Sequence, residues 1–474
     1  MQKTDNTGWH CENRVELEGS NGAQSDRLVE SEVEDGAMGS LLGKLVSRDN
    51  LNEAYKKVKK NGGAPGVDGM TVDEAAPYLK EHGDGIIRKI IGGKYKPMPV
   101  RRVEIPKPDG GVRLLGVPTV IDRIIQQAVA QVLTPVFEPT LSDNSYGFRP
   151  GRSAHMAVMK AKEYYEDGYR YVVDIDLAKY FDTVNHDILM DMVMVEVKER
   201  TIIRLIRAFL KSGVMEDGIL SPTEEGTPQG GNLSPLLSNI YLIRFDKLLE
   251  ERGHKFVRYA DDCNIYLKSR RAAERVMESC IEFLEGKRMR LKVNREKSAV
   301  GSPTKLKFLG FGLYTRSNGS KGVRIHTKSV KRFKAKVKKI TKRNRGKSFA
   351  QIVAELKKYT DGWIQYYGIA DMKTLMSELN QWIRRRLRMY IWKQWKKVKT
   401  KFRNLMKLGA TKRQAWEWAN TRKSYWHMSN SWPLATTITN ERLERRGYAD
   451  ISKKYEAVHS NYRTAVYRTV RTVV

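Results

Sequence analysis

Cysteine is scarce. Cys11, Cys263 and Cys280 are the only three in 474 residues, and no two of them are close in sequence. That spacing offers neither a disulfide framework nor a cysteine-rich zinc module. Long apolar runs are missing too. None approaches the roughly 18 residues that a membrane-spanning helix needs. The first residues are polar and acidic, without the apolar core of a signal peptide. The expectation is a cytoplasmic protein with no membrane association. Beyond residue 40, acid is what the chain lacks. Residues 1–40 hold nine Asp/Glu against three Lys/Arg, yet the whole chain carries a formal net charge of +33. The acidic stretch reads as a mobile extension. The basic remainder calls for a polyanion, and nucleic acid suits it better than an acidic membrane surface. With 40% hydrophobic residues the chain is globular, and its length allows about two to four domains.

What is present is organised around Phe256-Val-Arg-Tyr-Ala-Asp-Asp-Cys-Asn-Ile-Tyr-Leu267. It reads as strand, two-residue turn, strand, with Asp261 and Asp262 side by side at the tip. Adjacent anions repel unless a divalent cation lies between them. A solvated Asp-Asp turn is the plain alternative for the dipeptide alone. A third carboxylate would complete a two-metal site of the nucleotidyl-transfer kind. Tyr171-Val-Val-Asp-Ile-Asp-Leu177 supplies it. This is a β-branched strand on which Asp174 and Asp176 share one face. Asp176 is the better ligand, because it stands where the apolar run ends.

Other segments suit a nucleotide. Residues 96–118 form a basic hairpin across Pro108-Asp-Gly-Gly111, with Lys107 and Arg113 flanking the turn. Two cations on such an arm suit a triphosphate, or are merely solvated. Phe181 fits beneath a sugar ring or in a core. Gly226-Thr-Pro-Gln-Gly-Gly-Asn-Leu-Ser-Pro235 lets backbone approach a ligand, with Gln229 offering a donor and an acceptor and Ser234 capping a helix. Lys297, in Leu291-Lys-Val-Asn-Arg-Glu-Lys297, protonates a leaving group or is solvated. Thr119 caps a helix that Pro135 ends, and 187–211 reads as one helix. The Tyr146-Gly-Phe-Arg-Pro-Gly-Arg152 loop stacks on bases or packs.

The last 150 residues or so are helical and basic. Between 331 and 347 there are ten Lys/Arg and no acid, and the same holds between 382 and 403. Two long faces of one sign point to a phosphate backbone. The candidate contacts are Lys336, Lys338, Arg384, Arg385, Arg386, Arg388, Lys393 and Lys396. Trp363, Tyr366 and Tyr367 read as core.

Together these pieces resemble the reverse transcriptases encoded in bacterial group II introns, over roughly residues 41–474. Ile105-Pro-Lys-Pro-Asp-Gly-Gly-Val-Arg113 is similar to the family's fingers motif. Asp174-Ile-Asp-Leu-Ala-Lys-Tyr-Phe-Asp182 resembles motif A, and Gly226–Pro235 motif B. Tyr259-Ala-Asp-Asp262 is similar to motif C and Leu291–Lys297 to motif D. Gly362-Trp-Ile-Gln-Tyr-Tyr-Gly368 and Trp382-Ile-Arg-Arg-Arg-Leu-Arg388 resemble the thumb or X (maturase) domain. The lack of paired cysteines is similar to the compact class C lineage without an endonuclease.

The resemblance implies an α+β right-hand polymerase of fingers, palm and thumb. Its expected divisions are a 1–40 extension, a helical 41–95 N-terminal extension, fingers and palm at 96–315, thumb/X at 316–403 and a small DNA-binding domain at 404–474. It implies two Mg²⁺ ions held by Asp176, Asp261, Asp262 and the Leu177 carbonyl. Lys107 and Arg113 would clamp the triphosphate, Phe181 exclude a ribose 2′-hydroxyl, Gln229 line the nucleotide pocket and Lys297 serve as general acid. It implies RNA-directed DNA polymerase activity on an RNA template with a DNA primer and deoxynucleoside triphosphates. It also implies binding of an intron RNA to promote splicing, and retrohoming into target DNA. The alternatives are a reverse transcriptase recruited to defence or diversification, and an RNA-binding splicing factor without polymerase activity.

Overall fold

The computed structural model describes residues 39–106, 111–216, 219–222, 225–227 and 230–471, with the backbone alone over 463–471. The expected 1–40 extension, Lys107, the turn at 108–110 and Gln229 therefore lie outside the described residues, apart from 39 and 40. The chain divides into two compact units, Met1–Ala157 with Tyr169–Gly301 and Val158–Gly168 with Ser302–Val474. The border at 301/302 differs from the expected 315, because the hairpin at 311–325 belongs with the helices after it.

In the first unit, helices α1 (Leu41–Val46), α2 (Arg48–Asn61) and α3 (Ala75–Ile91) precede strands β1 (Val100–Pro106) and β2 (Val112–Val117). Helix α4 (Val120–Phe137) follows, capped as expected by the Thr119 hydroxyl, which accepts from Asp122 N. Burial of Ile124, Ile125, Ala128, Val129 and Leu133 makes α4 a central element of the core. Pro135 lies inside this helix rather than after it. Its missing amide falls in the last turn, where only Val136 and Phe137 remain to be ordered.

Next come α5 (Ala154–Glu166), which from Val158 on is grouped with the second unit, and then β3 (Tyr171–Ile175), α6 (Tyr180–Thr183), α7 (His186–Glu196) and α8 (Arg200–Leu210) of the first. The single helix expected over 187–211 is thus two. Glu199 is drawn out of helical geometry to cap α1, accepting from Leu41 N at 2.6 Å and Leu42 N at 2.7 Å. An anion at a helix start is favoured by its unpaired N–H groups. The unit continues with β4 (Val214–Glu216), β5 (Ile219–Ser221), α9 (Ser234–Glu251), β6 (Lys255–Tyr259), β7 (Asp262–Leu267), α10 (Arg270–Glu285) and β8 (Ala299–Gly301). Ser234 is the first residue of α9, not its cap. Two sheets result, ordered β2-β1-β4-β5 and β6-β7-β3-β8. The second carries the acidic residues. Val173, Ile175 and Leu177 of one face, with Cys263, Ile265 and Leu267, enter the core.

The second unit starts with the antiparallel pair β9 (Phe311–Thr315) and β10 (Lys321–Ile325). Helices α11 (Thr327–Ile340), α12 (Phe349–Tyr367), α13 (Lys373–Gln394), α14 (Val398–Lys407) and α15 (Lys412–Ala419) follow. Short helices α16 (Tyr425–Met428), α17 (Trp432–Thr437) and α18 (Asn440–Arg445) lead to α19 (Ile451–Arg471). Its aromatic core runs from Phe333 to Trp363 at 4.4 Å, then to Tyr367 at 4.9 Å and Phe311 at 5.0 Å. The basic helix expected through Trp382–Phe402 breaks after Gln394, where Trp395 turns out of the helix and packs edge-on against Trp392.

Candidate active site

The acidic turn is built by register. Tyr259 pairs with Asp262, which leaves Ala260 and Asp261 as the two turn residues. Asp261 therefore sits in the turn, and Asp262 is the first residue of β7 rather than its twin at the tip. Ala260 has a φ of 58°, a left-handed conformation that costs a non-glycine residue about 1–2 kcal/mol.

A buried frame holds that turn. Arg258 Nη1 donates to the Ala260 carbonyl at 2.9 Å and to Asn239 Oδ1 at 3.0 Å. Its Nε and Nη2 form a bidentate pair with Asp246 at 2.7 and 2.5 Å. Both side chains are 1% exposed. Burial works against the charged guanidinium, but the adjacent Asp246 carboxylate outweighs it and holds Arg258 protonated, above its ordinary range. Asn239 Nδ2 donates to Gly147 O at 2.7 Å. A Cβ on Gly147 would be driven into the backbone nitrogen of Ala260. Gly147→Ala is expected to lower stability by about 1–3 kcal/mol, as overpacking does; an unchanged urea midpoint would contradict that.

The loop around Gly147 is packed through Tyr146 and Arg149, while Phe148 is 52% exposed. Arg149 is buried, donating to the carbonyls of Ser142 and Ser145 and pairing with Glu138.

The third carboxylate arrives across the sheet. Asp174 pairs with Asn264 and Ile175 with Cys263, and the pairing ends there, next to Asp176 on one chain segment and Asp262 on the other. Asp174 accepts from Asn264 Nδ2 at 2.8 Å, so its carboxylate is engaged within the sheet. Asp176 is pinned through its backbone, its N donating to Ser298 Oγ at 3.0 Å and its carbonyl accepting from Asn294 N at 2.8 Å. Leu177 lies between that bond and the one from Ala178 N to Lys292 O. Residues 291–293 meet this segment through an isolated antiparallel bridge, Leu177 to Val293.

Burial pushes the Asp261 carboxyl up, and repulsion from Asp176 adds to this, while Arg113 and Arg258 pull it down. Among the described residues no three Asp, Glu, His or Cys side chains gather into a closed metal cluster. What the fold brings together is Asp176 and Asp261, coupled by charge, with Asp262 in register. An all-oxygen donor set of mutually repelling carboxylates fits a hard divalent cation rather than zinc.

The nucleotide side is partly assembled. Phe181 is half-buried, edge-on to Tyr180 at 5.4 Å. Its carbonyl accepts from Thr227 N at 2.6 Å, and Gly226 N donates to Val184 O at 2.7 Å. Gly226 needs its φ of 90°, and a Cβ there would stand 2.9 Å from Phe181 O. The 226–227 segment is thereby docked on the one that follows Asp176. Arg113 is exposed on β2, and its charge reaches Asp261. Lys297 is exposed in the turn beside Ser298.

The arginines expected on nucleic acid are engaged within the fold. Arg384 pairs with Asp450 at 2.7 Å and Glu444 at 3.5 Å. Arg385 donates to Trp426 O, Arg386 to Thr341 Oγ1 and Lys338 O, and Arg388 to Ile438 O and Asn440 Oδ1. Lys336, Lys338 and Lys396 are exposed, and Lys393 is half-buried.

Sequence reading missed Arg258, Asp246 and Asn239. The signal was there: an arginine inside an apolar strand has to be paired.

Residues 105–313 match the family described as reverse transcriptase (RNA-dependent DNA polymerase). Residues 330–409 match the one described as group II intron, maturase-specific domain. Protein YkfC of Escherichia coli (strain K12) is 33% identical over 300 residues, covering 55% of this chain and 78% of YkfC. Group II intron-encoded protein LtrA of Lactococcus lactis subsp. cremoris is 39% identical over 215 residues, 45% of this chain. The match spans only 36% of LtrA's length. Among solved structures, a chain of a partial Cas6-RT-Cas1–Cas2 complex shares 24% identity over 52% of this chain and 42% of its own, at a TM-score of 0.34.

Proposed function

The chain belongs to the reverse transcriptases of group II introns that carry a maturase domain, and on that premise we propose that it copies RNA into DNA from a primer and also binds its intron RNA to promote splicing. The observation that carries the polymerase reading is the antiparallel pairing of β3 with β7, which ends at Ile175 and Cys263 and so leaves Asp176 and Asp262 adjoining its last pair, beside the turn bearing Asp261. Asp176, Asp261, Asp262 and the Leu177 carbonyl would hold two Mg²⁺ ions. When bound, such ions acidify the primer 3′-hydroxyl and neutralise the departing pyrophosphate. Lys107 and Arg113 grip the triphosphate, and Arg113's reach to Asp261 supports that role. Phe181 lies under the sugar, Gln229 lines the pocket and Lys297 delivers a proton to pyrophosphate.

The β6-β7-β3-β8 sheet with α9 serves as palm and the β2-β1-β4-β5 sheet as fingers. Residues 41–95 extend them. The border at 301/302 supports starting the thumb/X domain there, ahead of 316–403, with 404–474 contacting target DNA during retrohoming. No described helix is long and apolar enough to cross a membrane.

Primer extension on poly(rA)·oligo(dT) with Mg²⁺ tests the reading; no dTMP incorporation by the purified chain would overturn it. Phe181→Val opens the space beneath the sugar. The kcat/KM preference for dTTP over UTP is expected to fall about tenfold or more, equivalent to about 1.4 kcal/mol. An unchanged preference would remove Phe181 from sugar selection.

A further inference from the structure

The four arginines of α13 are taken up inside the fold, so the charge left to meet RNA lies elsewhere in this unit. Three cations from three separate segments converge on one ring. Arg343, in the turn after α11, places Cζ 5.1 Å from the Tyr425 ring centroid. Lys393, at the end of α13, places Nζ at 5.0 Å. Lys401, on α14, places Nζ at 5.9 Å and also lies 4.6 Å from the Trp392 ring. The ion pairs nearest in sequence involve other cations, such as Arg345 and Lys347 with Glu355, and Arg384 with Glu444 and Asp450. None of the three cations makes an ion pair among the described residues. A single aromatic face attracts a cation, but its quadrupole does not offset three. All three lie within 6 Å of one ring centroid, and like charges gathered around one ring repel. The arrangement lacks only an anion. Beside it, the Trp426 indole is 36% exposed and is propped from one side by the Arg385 guanidinium at 3.8 Å.

We propose that Arg343, Lys393 and Lys401 around Tyr425 form a clasp for a backbone phosphate of RNA, with Trp426 offering its open edge to an unpaired base. Stacking beside a phosphate contact is how single-stranded segments of folded RNA are held. RNA is the chosen partner because Arg343, Lys393 and Lys401 all fall within the stretch matching the maturase-specific domain; Tyr425 and Trp426 lie beyond it, in the segment assigned above to target DNA, which makes DNA the competing outcome of the test. The inference rests on the RNA-binding part of the proposed function and names where on the chain it happens.

The test uses the full chain and the triple variant Arg343→Gln/Lys393→Gln/Lys401→Gln. Affinity is measured for a stem–loop RNA and for the DNA stem–loop of the same sequence, across a KCl series. Each phosphate contact contributes roughly 0.7–0.9 to the slope of log affinity against log salt. The triple variant is expected to lose at least tenfold in RNA affinity at low salt, with the slope reduced by roughly 0.7–0.9, the share of the one phosphate clasped. Its melting temperature without nucleic acid stays level or rises, because repulsion is relieved. Tyr425→Leu, which keeps bulk but no π face, is expected to weaken RNA binding with the slope kept.

An unchanged slope and RNA affinity in the triple variant, with the wild type binding RNA, would overturn the clasp and leave the proposed function standing. A lowered melting temperature with an unchanged slope would make the cations structural props and overturn it as well. A loss confined to the DNA stem–loop would overturn the choice of RNA. Failure of the wild-type chain both to bind RNA and to extend a primer would instead bring down the proposed function itself.

Discussion

Asp261→Asn abolishes primer extension, by about 10³-fold or more, and at the same time makes the metal-free protein more stable at neutral pH. The first effect follows from removing a ligand charge that acts on the reacting oxygens; a 10³-fold loss corresponds to about 4 kcal/mol of transition-state stabilisation. The second follows from the direction of the Asp261 shift. Its carboxyl is raised in the folded protein, by burial first and then by Asp176. The folded state thus holds the proton more tightly than the unfolded chain does. Stability from this group is present while it is protonated and is lost as pH rises through the raised folded value. An amide in its place carries no such penalty. The stabilisation by Asp261→Asn, read as melting temperature in EDTA, is therefore expected at pH 7 and should vanish in acid below the ordinary carboxylate range. In the wild type, Mg²⁺ should raise the melting temperature more at pH 7 than in mild acid. If Asp261→Asn melted lower at pH 7 in EDTA, or still extended primers, the site assignment would be lost. Such a trade of stability for activity is common at sites that gather like charges.

Arg258→Met is the second large effect. Removing one partner of a buried ion pair costs about 3–5 kcal/mol, because the other charge is left without compensation. Here Asp246 would be stranded at 1% exposure. The variant is expected to unfold at markedly lower urea, and Asp246→Leu alone should do the same. The double variant Arg258→Met/Asp246→Leu separates stability from positioning. Apolar replacement of a buried pair is often neutral or stabilising, so the urea midpoint should recover most of the loss. Polymerisation should not recover, because the Ala260 carbonyl and Asn239 Oδ1 have lost their shared donor. The deficit is expected in kcat more than in KM for dTTP, since the turn carrying Asp261 moves while the nucleotide contacts remain. Full recovery of kcat in the double variant would reduce Arg258 to a structural residue.

The features legible in advance are those encoded by neighbours along the chain. Thr119 three residues before Asp122, the β-branched run ending at Asp176, and the strand–turn–strand around Asp261 are local patterns, and the structure keeps each of them. The errors are equally specific. The turn was placed one residue late, because pairing of Tyr259 with Asp262 is a property of two strands together. The helix expected over 187–211 breaks because Glu199 caps a helix 158 residues away. Arg384, Arg385, Arg386 and Arg388 look like a solvent-facing basic stripe, and periodicity gives no hint that Asp450, Trp426, Thr341 and Ile438 wait for them.

By itself, then, the sequence determined where the strand ends, turns and loops that carry the candidate carboxylates fall, and in what order they come, because turn chemistry, strand alternation and helix periodicity act over a few residues. Only the tertiary structure decided which charges are spent inside the molecule and which are left facing outward. Arg258 and Arg384 are both arginines in plausible functional stretches, yet each is held by an acid from another element, Asp246 of α9 and Asp450 just ahead of α19. Arg343, Lys393 and Lys401, scattered among many similar residues, are the ones brought together without such an acid. A charge's role depends on what lies within a few ångströms of it, and folding sets that neighbourhood.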